Sequence, residues 1–531
     1  MLRIRVGVPI GLAAAALAAV WMIGRHVNPG PLGFRLDDAW ILLVYGQGLA
    51  VDGFLSYVPG VPSTGCTSPL WAAVIALVHV LLGEGASTDA ILIAEMAIGV
   101  LLHLATAGYA GLLVGRISGH DLTGAIGGGL VALAIPLAAT AFSGMEVTLT
   151  GLLLLVGVGA ATQGRWTGSG IALALAALSR PESAMVSILV AAFAVADAGA
   201  AKEAIPRLVR LSIPSAVGAG LFIGYDLWAS GAPLPATFYA KESTDLLDLP
   251  RRWGVALRYM LSRVPPLGSG IAWLALLGFL PLRQSDGAPG APRRRLALLP
   301  LAAGLVYLTT NLYLIDPIQP FAFYHQRYLM PALPLLLVGL TLGAQRVASA
   351  LPMRWSKAPL ALLAFTSILQ AGMSVTPESV HLHNDIRNIN EVQRNLGEWL
   401  GAHLPEGTWI AASDAGAIRY FSGLPTIDVL GLNTPEMLAH DEAFVRQHPV
   451  AMAAIMPAWV RPVDPSQVVT IRAATTEDYS VTSSPIMATQ FIIRANPTLS
   501  PAEDGSASVR VGFDGIRSFE LELMRNPLEM K

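Results

Sequence analysis

The stretch FRLDDAWI, residues 34–41, places two adjacent aspartates shortly after the first long apolar run of the chain. Asp37 and Asp38 repel each other there, and each raises the other's pKa, so such a pair at a membrane surface needs a reason. One explanation is helix capping, because Asp38 precedes an apolar run and could cap a surface helix. Capping explains one aspartate and not both, so we treat the pair as a candidate chemical centre.

The composition around this stretch is that of a membrane protein. Of 531 residues, 53% are hydrophobic and 13% are charged, with a mean hydropathy of +0.56. A soluble domain carries roughly 25% charged residues, so the apolar surplus must face lipid. The net charge of −2 argues against a nucleic-acid partner. The single cysteine, Cys66, excludes a disulfide framework and a cysteine metal site.

The apolar segments predict a polytopic α-helical membrane protein with about 11 transmembrane helices. Residues up to about Gly24 form the first, which we interpret as an uncleaved span because Trp21 to Arg25 offers no small-x-small cleavage site. Arg3 and Arg5 place the N-terminus in the cytoplasm and the loop 25–68 outside. The further segments lie near 69–83, 88–115, 121–141, 147–162, 169–199, 208–230, 267–282, 296–314, 328–345 and 358–373.

The early spans do not fit a simple alternation of sides. Arg116 and Arg165 favour the cytoplasm, yet alternating spans would put both outside. A re-entrant or broken segment between residues 69 and 199 would remove the conflict, so we predict one there.

The region after residue 375 has a different composition, with more charge and no run long enough to span. Residues 384–403 have helical spacing, and residues 408–412, 426–430 and 450–456 are typical of short strands. We therefore predict a transmembrane domain at 1–375 and an external, periplasmic α/β or α+β domain at 376–531.

The residues around the acidic pair resemble a known family. DDAWI at 37–41, the pattern G-x-x-S-Y-x-P-G at 53–60 and TSPLW at 67–71 resemble the first external loop of GT-C fold glycosyltransferases. Within that class they are most similar to the bacterial branch that includes the mycobacterial terminal arabinofuranosyltransferases. Trp40 and Cys66 stand where that branch usually has tyrosine.

Further motifs of that branch follow in the same order along residues 34–436. One of them departs from the usual pattern, since Ala236 stands where asparagine is usual. They are SGME at 143–146, SRPE at 179–182, PLPATFYAK at 233–241, QRYLMP at 326–331, DAGAI at 414–418, YFSG at 420–423 and DVLGL at 428–432.

The resemblance implies a glycosyltransferase of the bacterial inner membrane. Its donor would be a polyprenyl-phosphate sugar, a pentose such as arabinofuranose or a hexose. Its acceptor would be a hydroxyl of a cell-envelope glycan or glycolipid. A carboxylate that takes the acceptor proton implies single displacement with inversion. We predict Asp37 as this base and Asp38 as the second choice.

Other charged and polar residues are candidates for binding the donor phosphate or substrate. Arg327 precedes a span and suits phosphate, although an arginine there could also be an interfacial anchor. Glu146, Arg180 and Glu182 lie between apolar segments, where a substrate contact competes with an internal ion pair at a helix break. The remaining candidates are Tyr239, Lys241 and His325.

No cofactor or metal site is evident in the sequence. The carboxylates lack a D-x-D spacing, although a divalent ion could bridge Asp37 and Asp38 through water. Two other functions compete with transfer: a lipid-linked-sugar transporter or flippase, and a non-catalytic polysaccharide-binding membrane protein. A transporter would favour inverted repeats with broken helices, and the sequence shows no convincing repeat.

Overall fold

The computed structural model describes residues 3–83, 85–240, 246–263, 271–280, 294–314, 327–439, 441–457, 460–476, 489–495, 508–513 and 516–523. The chain divides into two compact units. The first unit comprises Met1–Val27, Glu95–Phe222 and Ser243–Val380. The second unit comprises Asn28–Ala94, Ile223–Glu242 and His381–Lys531, and so combines most of the predicted external loop with the C-terminal region.

Helices dominate the described residues up to His403. The α-helices are α1 (Val8–Val27), α2 (Asp37–Asp52), α3 (Pro69–Leu82), α4 (Thr88–Ser118), α5 (Asp121–Ala132), α6 (Ile135–Ala139), α7 (Val147–Thr162), α8 (Trp166–Ser179), α9 (Ala184–Ala198), α10 (Ala201–Ser230), α11 (Ala236–Ala240), α12 (Leu249–Arg263), α13 (Ile271–Leu274), α14 (Arg294–Leu314), α15 (Leu333–Ala350), α16 (Ala358–Ile389), α17 (Asn395–His403), α18 (Ala417–Ser422), α19 (Pro435–Leu438) and α20 (Glu442–Gln447). Turns of 3-10 helix cover Thr140–Phe142, Pro181–Ser183, Leu246–Asp248, Ala275–Phe279, Met330–Ala332, Met353–Trp355 and Pro465–Gln467, and π-helical turns cover Arg3–Gly7 and Asn390–Arg394.

The strands are short and mostly C-terminal. They are β1 (Ser56–Val58), β2 (Val61–Pro62), β3 (Ile410–Ala412), β4 (Thr426–Asp428), β5 (Met452–Ile455), β6 (Val460–Pro462), β7 (Val468–Thr475), β8 (Thr489–Ala495), β9 (Ser508–Phe513) and β10 (Ile516–Leu523).

The helices establish a polytopic membrane protein. In the described part of the chain, seven helices are long and apolar enough to cross a bilayer. A pair of helices that is bent at a break makes an eighth span if the pair crosses as one. The shorter apolar helices α3, α7 and α8 correspond to further predicted segments. The seven are Arg3–Val27, Thr88–Ser118, Pro181–Ala198, Ala201–Ser230, Arg295–Leu314, Met330–Ala350 and Met353–His403.

The bent pair lies where the charge pattern predicts a broken segment. Helix α5 ends at Ala132, and the helical turn that continues from Ile135 to Phe142 is inclined to it by 58°. Pro136 lies in the first turn after the break, where its missing N–H leaves no hydrogen bond unmade. The prediction of a broken segment between residues 69 and 199 is therefore confirmed.

The apolar stretch 169–199 was expected to be one segment, and this is wrong. It forms two helices, α8 and α9, separated by Arg180 and one 3-10 turn. Pro181 cannot continue α8, because it lacks an N–H and its ring crowds the preceding turn. The backbone of Arg180 is accordingly extended, with φ −151° and ψ 115°, as is typical before proline.

The predicted last span and the predicted helix at 384–403 form one helical run. Helix α16 continues past residue 376 to Ile389, and a π-helical turn joins it to α17. The helical spacing predicts one apolar stripe, and it is confirmed because all of its members are buried except the half-buried Trp399. The stripe comprises Ile386, Ile389, Val392, Leu396, Trp399 and Leu400. The domain boundary at residue 376 remains a prediction, because the helix does not end there.

The C-terminal region contains the predicted strands as β3, β4 and β5. They lie in a five-stranded mixed sheet of order β4-β3-β5-β8-β7. Strand β3 pairs in parallel with β4 and β5, whereas β8 is antiparallel to β5 and β7. A three-stranded antiparallel sheet, β6-β10-β9, follows the first. The first sheet supports a buried core that includes Ala411, Ile427, Ala453, Ile455 and Ile493.

The loop after α1 is ordered by helix α2 and a small hairpin. Helix α2 begins at Asp37 and ends before Gly53, whose positive φ of 77° suits a residue without a side chain. The antiparallel strands β1 and β2 follow, with Gly60 at φ 73° in the turn between them. The Gly/Pro pattern of the sequence thus forms turns, and α2 presents the acidic pair at its first turn.

Close helix packing in the first unit depends on glycine, and substitution there tests the packing. A Cβ at Gly99 of α4 would overlap the backbone oxygen of Ala141 in the bent pair. Gly99→Ala should therefore cost about 1–3 kcal/mol of stability, measured by thermal unfolding in detergent.

Gly372 of α16 is the matched control, because a Cβ there meets no atom within 4 Å. Gly372→Ala should leave stability unchanged or raise it by about 0.5–1 kcal/mol, since alanine is the better helix former. Equal effects of the two substitutions would contradict the packing of α4 described above.

Candidate active site

The acidic pair begins helix α2, with Asp37 and Asp38 as its first two residues. The capping position is Leu36, which has an extended backbone and makes no side-chain cap. The explanation that Asp38 caps this helix is therefore wrong. The free N–H groups at the start of a helix favour negative charge, so the first turn of α2 stabilises both carboxylates.

Asp37 is buried, with 5% of its surface exposed, and both of its carboxylate oxygens accept backbone hydrogen bonds. The N–H of Gly416 donates to Oδ2 at 2.6 Å, and the N–H of Ala417 donates to Oδ1 at 2.7 Å. These donors lie at the start of α18. A Cβ at Gly416 would overlap the backbone oxygen of Asp37, so glycine permits this close approach.

A second carboxyl group, Asp414, is hydrogen-bonded to the side chain of Asp37. Its Oδ2 accepts from the side-chain amides of Gln393 at 2.6 Å and Gln490 at 3.1 Å. Burial, followed by the negative charge of Asp414, raises the pKa of Asp37 well above its usual value. Burial also raises the pKa of Asp414.

Sequence reasoning did not identify Asp414 as a site residue. It begins the DAGAI motif and lies two residues after the predicted strand 408–412, which is the signal that could have found it. Loops at the carboxyl ends of parallel strands commonly carry functional groups. Gln393 and Gln490 carried no such signal, because they are distant in sequence and belong to a helix and a strand.

Asp38 has a different environment from Asp37. It is only half-buried. Burial is the main cause that raises the pKa of Asp414, and the negative charge of Asp38 raises it further. Asp38 therefore lies beside the buried carboxyl pair and retains some access to solvent. The structure brings the two aspartates of the motif together with a third, and gives the first two different surroundings.

Hydroxyl and amide groups connect the α2 loop to the C-terminal strands within the second unit. The Tyr45 hydroxyl lies 2.8 Å from Ser63 Oγ and donates to Asn433 Oδ1 at 3.1 Å. Asn433 in turn donates to Asp428 from its side chain at 2.8 Å and its backbone at 3.0 Å. Burial raises the pKa of Asp428 to about 6. The Tyr57 hydroxyl donates to the backbone carbonyl of Ala415 at 2.6 Å.

Aromatic packing fixes the first turn of α2. Trp40 is fully buried, and its ring centroid lies 5.7 Å from Phe34, 5.3 Å from Tyr420 and 4.8 Å from Phe421. Such pairs contribute about 0.5–1.5 kcal/mol each beyond their buried area. The tryptophan that replaces the usual tyrosine of the motif is therefore a packing residue in this chain.

A charged cluster in the first unit assembles three separate motifs. Arg180 binds Glu146 at 2.9 Å and Glu182 at 3.3 Å, so the internal ion pair considered for SGME and SRPE is present. The guanidinium of Arg180 lies 4.6 Å from the ring of Tyr328, and that of Arg327 lies 4.9 Å from the same ring. Arg327 also donates to the Tyr328 hydroxyl at 2.9 Å. Both guanidinium groups therefore lie close to the ring of Tyr328, and the two carboxylates bind Arg180.

The remaining predicted binding residues are not characterised by the structure. Lys241 and His325 lie outside the described residues, and for Tyr239 the structure describes only the backbone, in α11. Within the described ranges, no group of three or more His, Cys, Asp or Glu residues is arranged to hold a metal ion.

Comparisons with known proteins identify the fold. Residues 384–507 match a family model described as "Domain of unknown function (DUF8728)". A search of curated proteins finds no match. The structure is similar to ArnT from Cupriavidus metallidurans bound to undecaprenyl phosphate, with a TM-score of 0.53, 12% identity, and coverage of 93% of this chain and 99% of that one.

The apo state of the same protein gives a TM-score of 0.50 and 13% identity, covering 91% of this chain and 97% of that one. An oligosaccharyltransferase from Archaeoglobus fulgidus gives a TM-score of 0.47 and 12% identity, and the match covers 83% of this chain and 67% of that one. At these identities the similarity shows the fold. The chain has the GT-C fold of ArnT, as the sequence predicts, while the arabinofuranosyltransferase branch remains a prediction.

The buried carboxyls predict a pH dependence of stability. The pKa values of Asp37, Asp414 and Asp428 are raised in the folded state, so the folded chain binds more protons than the unfolded chain. Their stabilising effect is complete below the ordinary carboxyl pKa of about 4 and is lost as pH rises through the raised values. Each extra proton lowers the free energy of unfolding by about 1.4 kcal/mol per pH unit in that range.

Asp414→Asn should flatten this slope and raise the unfolding temperature at neutral pH. The asparagine oxygen can accept from Gln393 and Gln490, and its NH2 can donate to Asp37. Asp89→Asn, at an exposed first-turn aspartate of α4, is the control and should leave the slope unchanged. Unfolding stability is measured by calorimetry from pH 4 to 8. An unaltered dependence of stability on pH in the Asp414 variant would contradict the assignment of raised pKa values to this carboxyl pair.

Proposed function

We propose that this chain is a membrane glycosyltransferase that transfers a sugar from a polyprenyl-phosphate donor to an acceptor hydroxyl. The observation that carries the proposal is the first turn of α2, where Asp37 is fixed by backbone N–H groups and Asp38 stands half-buried next to it. The GT-C fold shared with ArnT, which was solved with undecaprenyl phosphate, supports the donor class.

Asp38 is the better candidate for the general base. Both oxygens of Asp37 already accept backbone hydrogen bonds, and its side chain is also hydrogen-bonded to Asp414. A base must come within hydrogen-bond reach of the acceptor hydroxyl, and Asp38 keeps part of its surface exposed whereas Asp37 is buried. The sequence alone favoured Asp37 as the base, and these contacts support the reverse order, with Asp37 as the residue that positions Asp38.

In this proposal the sugar is transferred in a single displacement. The acceptor oxygen bonds to the anomeric carbon as the bond from that carbon to the polyprenyl phosphate breaks. The acceptor proton goes to the Asp38 carboxylate, and the electron pair of the broken bond leaves with the phosphate. Attack opposite the leaving group inverts the anomeric configuration. General-base assistance of this kind contributes about 10²–10⁴-fold.

Arg327 is our candidate for binding the donor phosphate. A guanidinium suits phosphate because its planar donors match two oxygens at once. Arg180 already binds two carboxylates, so its contacts support a positioning role through the ring of Tyr328. Glu146 and Glu182 would hold Arg180 in place. Roles for Tyr239, Lys241 and His325 in donor binding remain predictions from the sequence motifs.

The substrates follow from the family resemblance. We propose a pentose such as arabinofuranose, or a hexose, as the sugar, and a cell-envelope glycan or glycolipid as the acceptor. In this proposal the protein lies in the bacterial inner membrane with its N-terminus in the cytoplasm, and residues 376–531 form the periplasmic domain. The position of Arg3 and Arg5 before the first span supports this orientation by the positive-inside rule.

Conservative substitution of each aspartate separates base from positioning residue. Asp38→Asn should lower transfer by about 10²–10⁴-fold, and it should lower the unfolding temperature less than Asp37→Asn does, because Asp38 is half-exposed and Asp37 is buried. Asp37→Asn should lower both, since its NH2 would face a backbone N–H and leave a buried donor unsatisfied, at about 1–3 kcal/mol. Transfer is assayed with a panel of synthetic polyprenyl-phosphate pentoses and hexoses.

Asp89→Asn is the matched control, because Asp89 is also the second residue of its helix and is exposed. It should leave transfer and stability unchanged. Full transfer by a folded Asp38 variant would exclude Asp38 as the base. The absence of transfer from every donor by the wild-type chain would favour a transporter or a polysaccharide-binding protein.

Substitution of Arg327 tests the phosphate contact. Arg327→Gln should raise the KM for the donor at least about tenfold, as expected for loss of a charged hydrogen bond of about 1.5–3 kcal/mol. The donor KM of Arg327→Lys should lie between those of the wild type and Arg327→Gln. Direct binding of polyprenyl phosphate should weaken in parallel. Arg116→Gln, which removes an exposed arginine of the first unit, is the control. An unchanged donor KM in Arg327→Gln would overturn the assignment.

A further inference from the structure

An apolar cavity lies in the first unit, and none of the residues proposed for transfer lines it. It has a volume of about 330 Å³ and is lined almost entirely by apolar atoms. Its walls come from α13 and the adjoining 3-10 turn, the end of α15, the connection after it and the start of α16. Representative lining residues are Leu274, Leu277, Val347, Leu351, Trp355 and Leu362.

One wall of the cavity is held by a buried arginine. The Nε of Arg346 in α15 donates to the carbonyl of Gly278 at 2.6 Å, which fixes the 3-10 turn 275–279 against the helix. Gly278 and Gly343 allow the two backbones to approach closely, since a Cβ at either would overlap backbone atoms of the other element. The cavity is therefore bounded by fixed backbone, and the charge of Arg346 is used in holding it.

The rim of the cavity is basic. Arg354 and Lys357 are exposed, and each is adjacent in sequence to a lining residue, Trp355 or Ala358. Residues 317–377 contain no aspartate or glutamate, so no carboxylate of that segment offsets these charges. Trp355 is 57% exposed and Met353 is 93% exposed, beside the ends of two candidate spans. Tryptophan with arginine and lysine is typical of the membrane interface.

We propose that this cavity binds an acyl chain of an anionic phospholipid, with its phosphate at Arg354 and Lys357. An almost wholly apolar lining gives no partner to a polar ligand, whereas a hydrocarbon chain loses nothing by entering it. The volume lies within the range of small-ligand sites. The two cations at the rim select the headgroup, since basic residues beside membrane-facing pockets bind acidic lipids. This site is independent of the proposed transfer reaction.

The headgroup contact is tested by native mass spectrometry of the full chain with dioleoyl phosphatidylglycerol or dioleoyl phosphatidylcholine. The wild-type chain should retain the anionic lipid preferentially. Arg354→Ala with Lys357→Ala should weaken that retention about 20-fold, because each basic residue contributes about fivefold. Lys202→Ala with Arg210→Ala removes two exposed cations of α10 and should change nothing.

The chain-binding part is tested by filling the cavity. Val347→Phe should abolish retention of both lipids while the unfolding temperature in detergent is preserved. Leu369→Phe, at a 53% exposed residue of α16 that does not line the cavity, is its control. Equal retention of the two lipids by the wild type would overturn the headgroup assignment. Unchanged retention in Val347→Phe, or equal loss in either control, would overturn the site.

Discussion

The carboxylate of Asp37 is the interaction on which the second unit depends. It belongs to the first turn of α2, and it accepts from the N–H groups that begin α18, nearly 380 residues later in the chain. Gly416 permits the approach, Trp40 packs on the same helix turn, and Asp414 is hydrogen-bonded to Asp37. A buried carboxylate with this many donors is costly to disturb, so the neighbouring Asp38 is held in a defined position without being consumed by the same bonds.

Much of the fold could be predicted from the sequence because its signals are local. The apolar runs and the strands at 408–412, 426–430 and 450–456 follow from composition and turn residues, and the charge pattern indicated a broken segment between residues 69 and 199 without locating it. The bounds of two helical segments differ from those that the apolar runs indicate. Pro181 divides an apolar stretch into two helices, and α16 continues past the change in polarity at residue 376 because side-chain composition does not end a helix whose backbone bonds are complete.

The site was predictable in kind but not in detail. The adjacent aspartates indicated chemistry, and the quoted motifs indicated which other stretches matter. Which motifs meet depends on long-range packing, which no spacing encodes. Arg180 of SRPE binds Glu146 of SGME and lies, with Arg327, at the ring of Tyr328, while Asp414 is hydrogen-bonded to Asp37. The different surroundings of Asp37 and Asp38 are equally invisible in the sequence, because adjacent helix residues point in different directions and only one faces the donors of α18.

The central claim is that Asp37 fixes the start of α18 while Asp38 does not. Amide hydrogen exchange at Gly416 and Ala417 measures this directly, since exchange requires those hydrogen bonds to open. Asp37→Ala should abolish the protection of these two amides, and Asp38→Ala should leave it at the wild-type level. Unchanged protection in the Asp37 variant, or equal loss in both variants, would contradict the division of roles between the two aspartates.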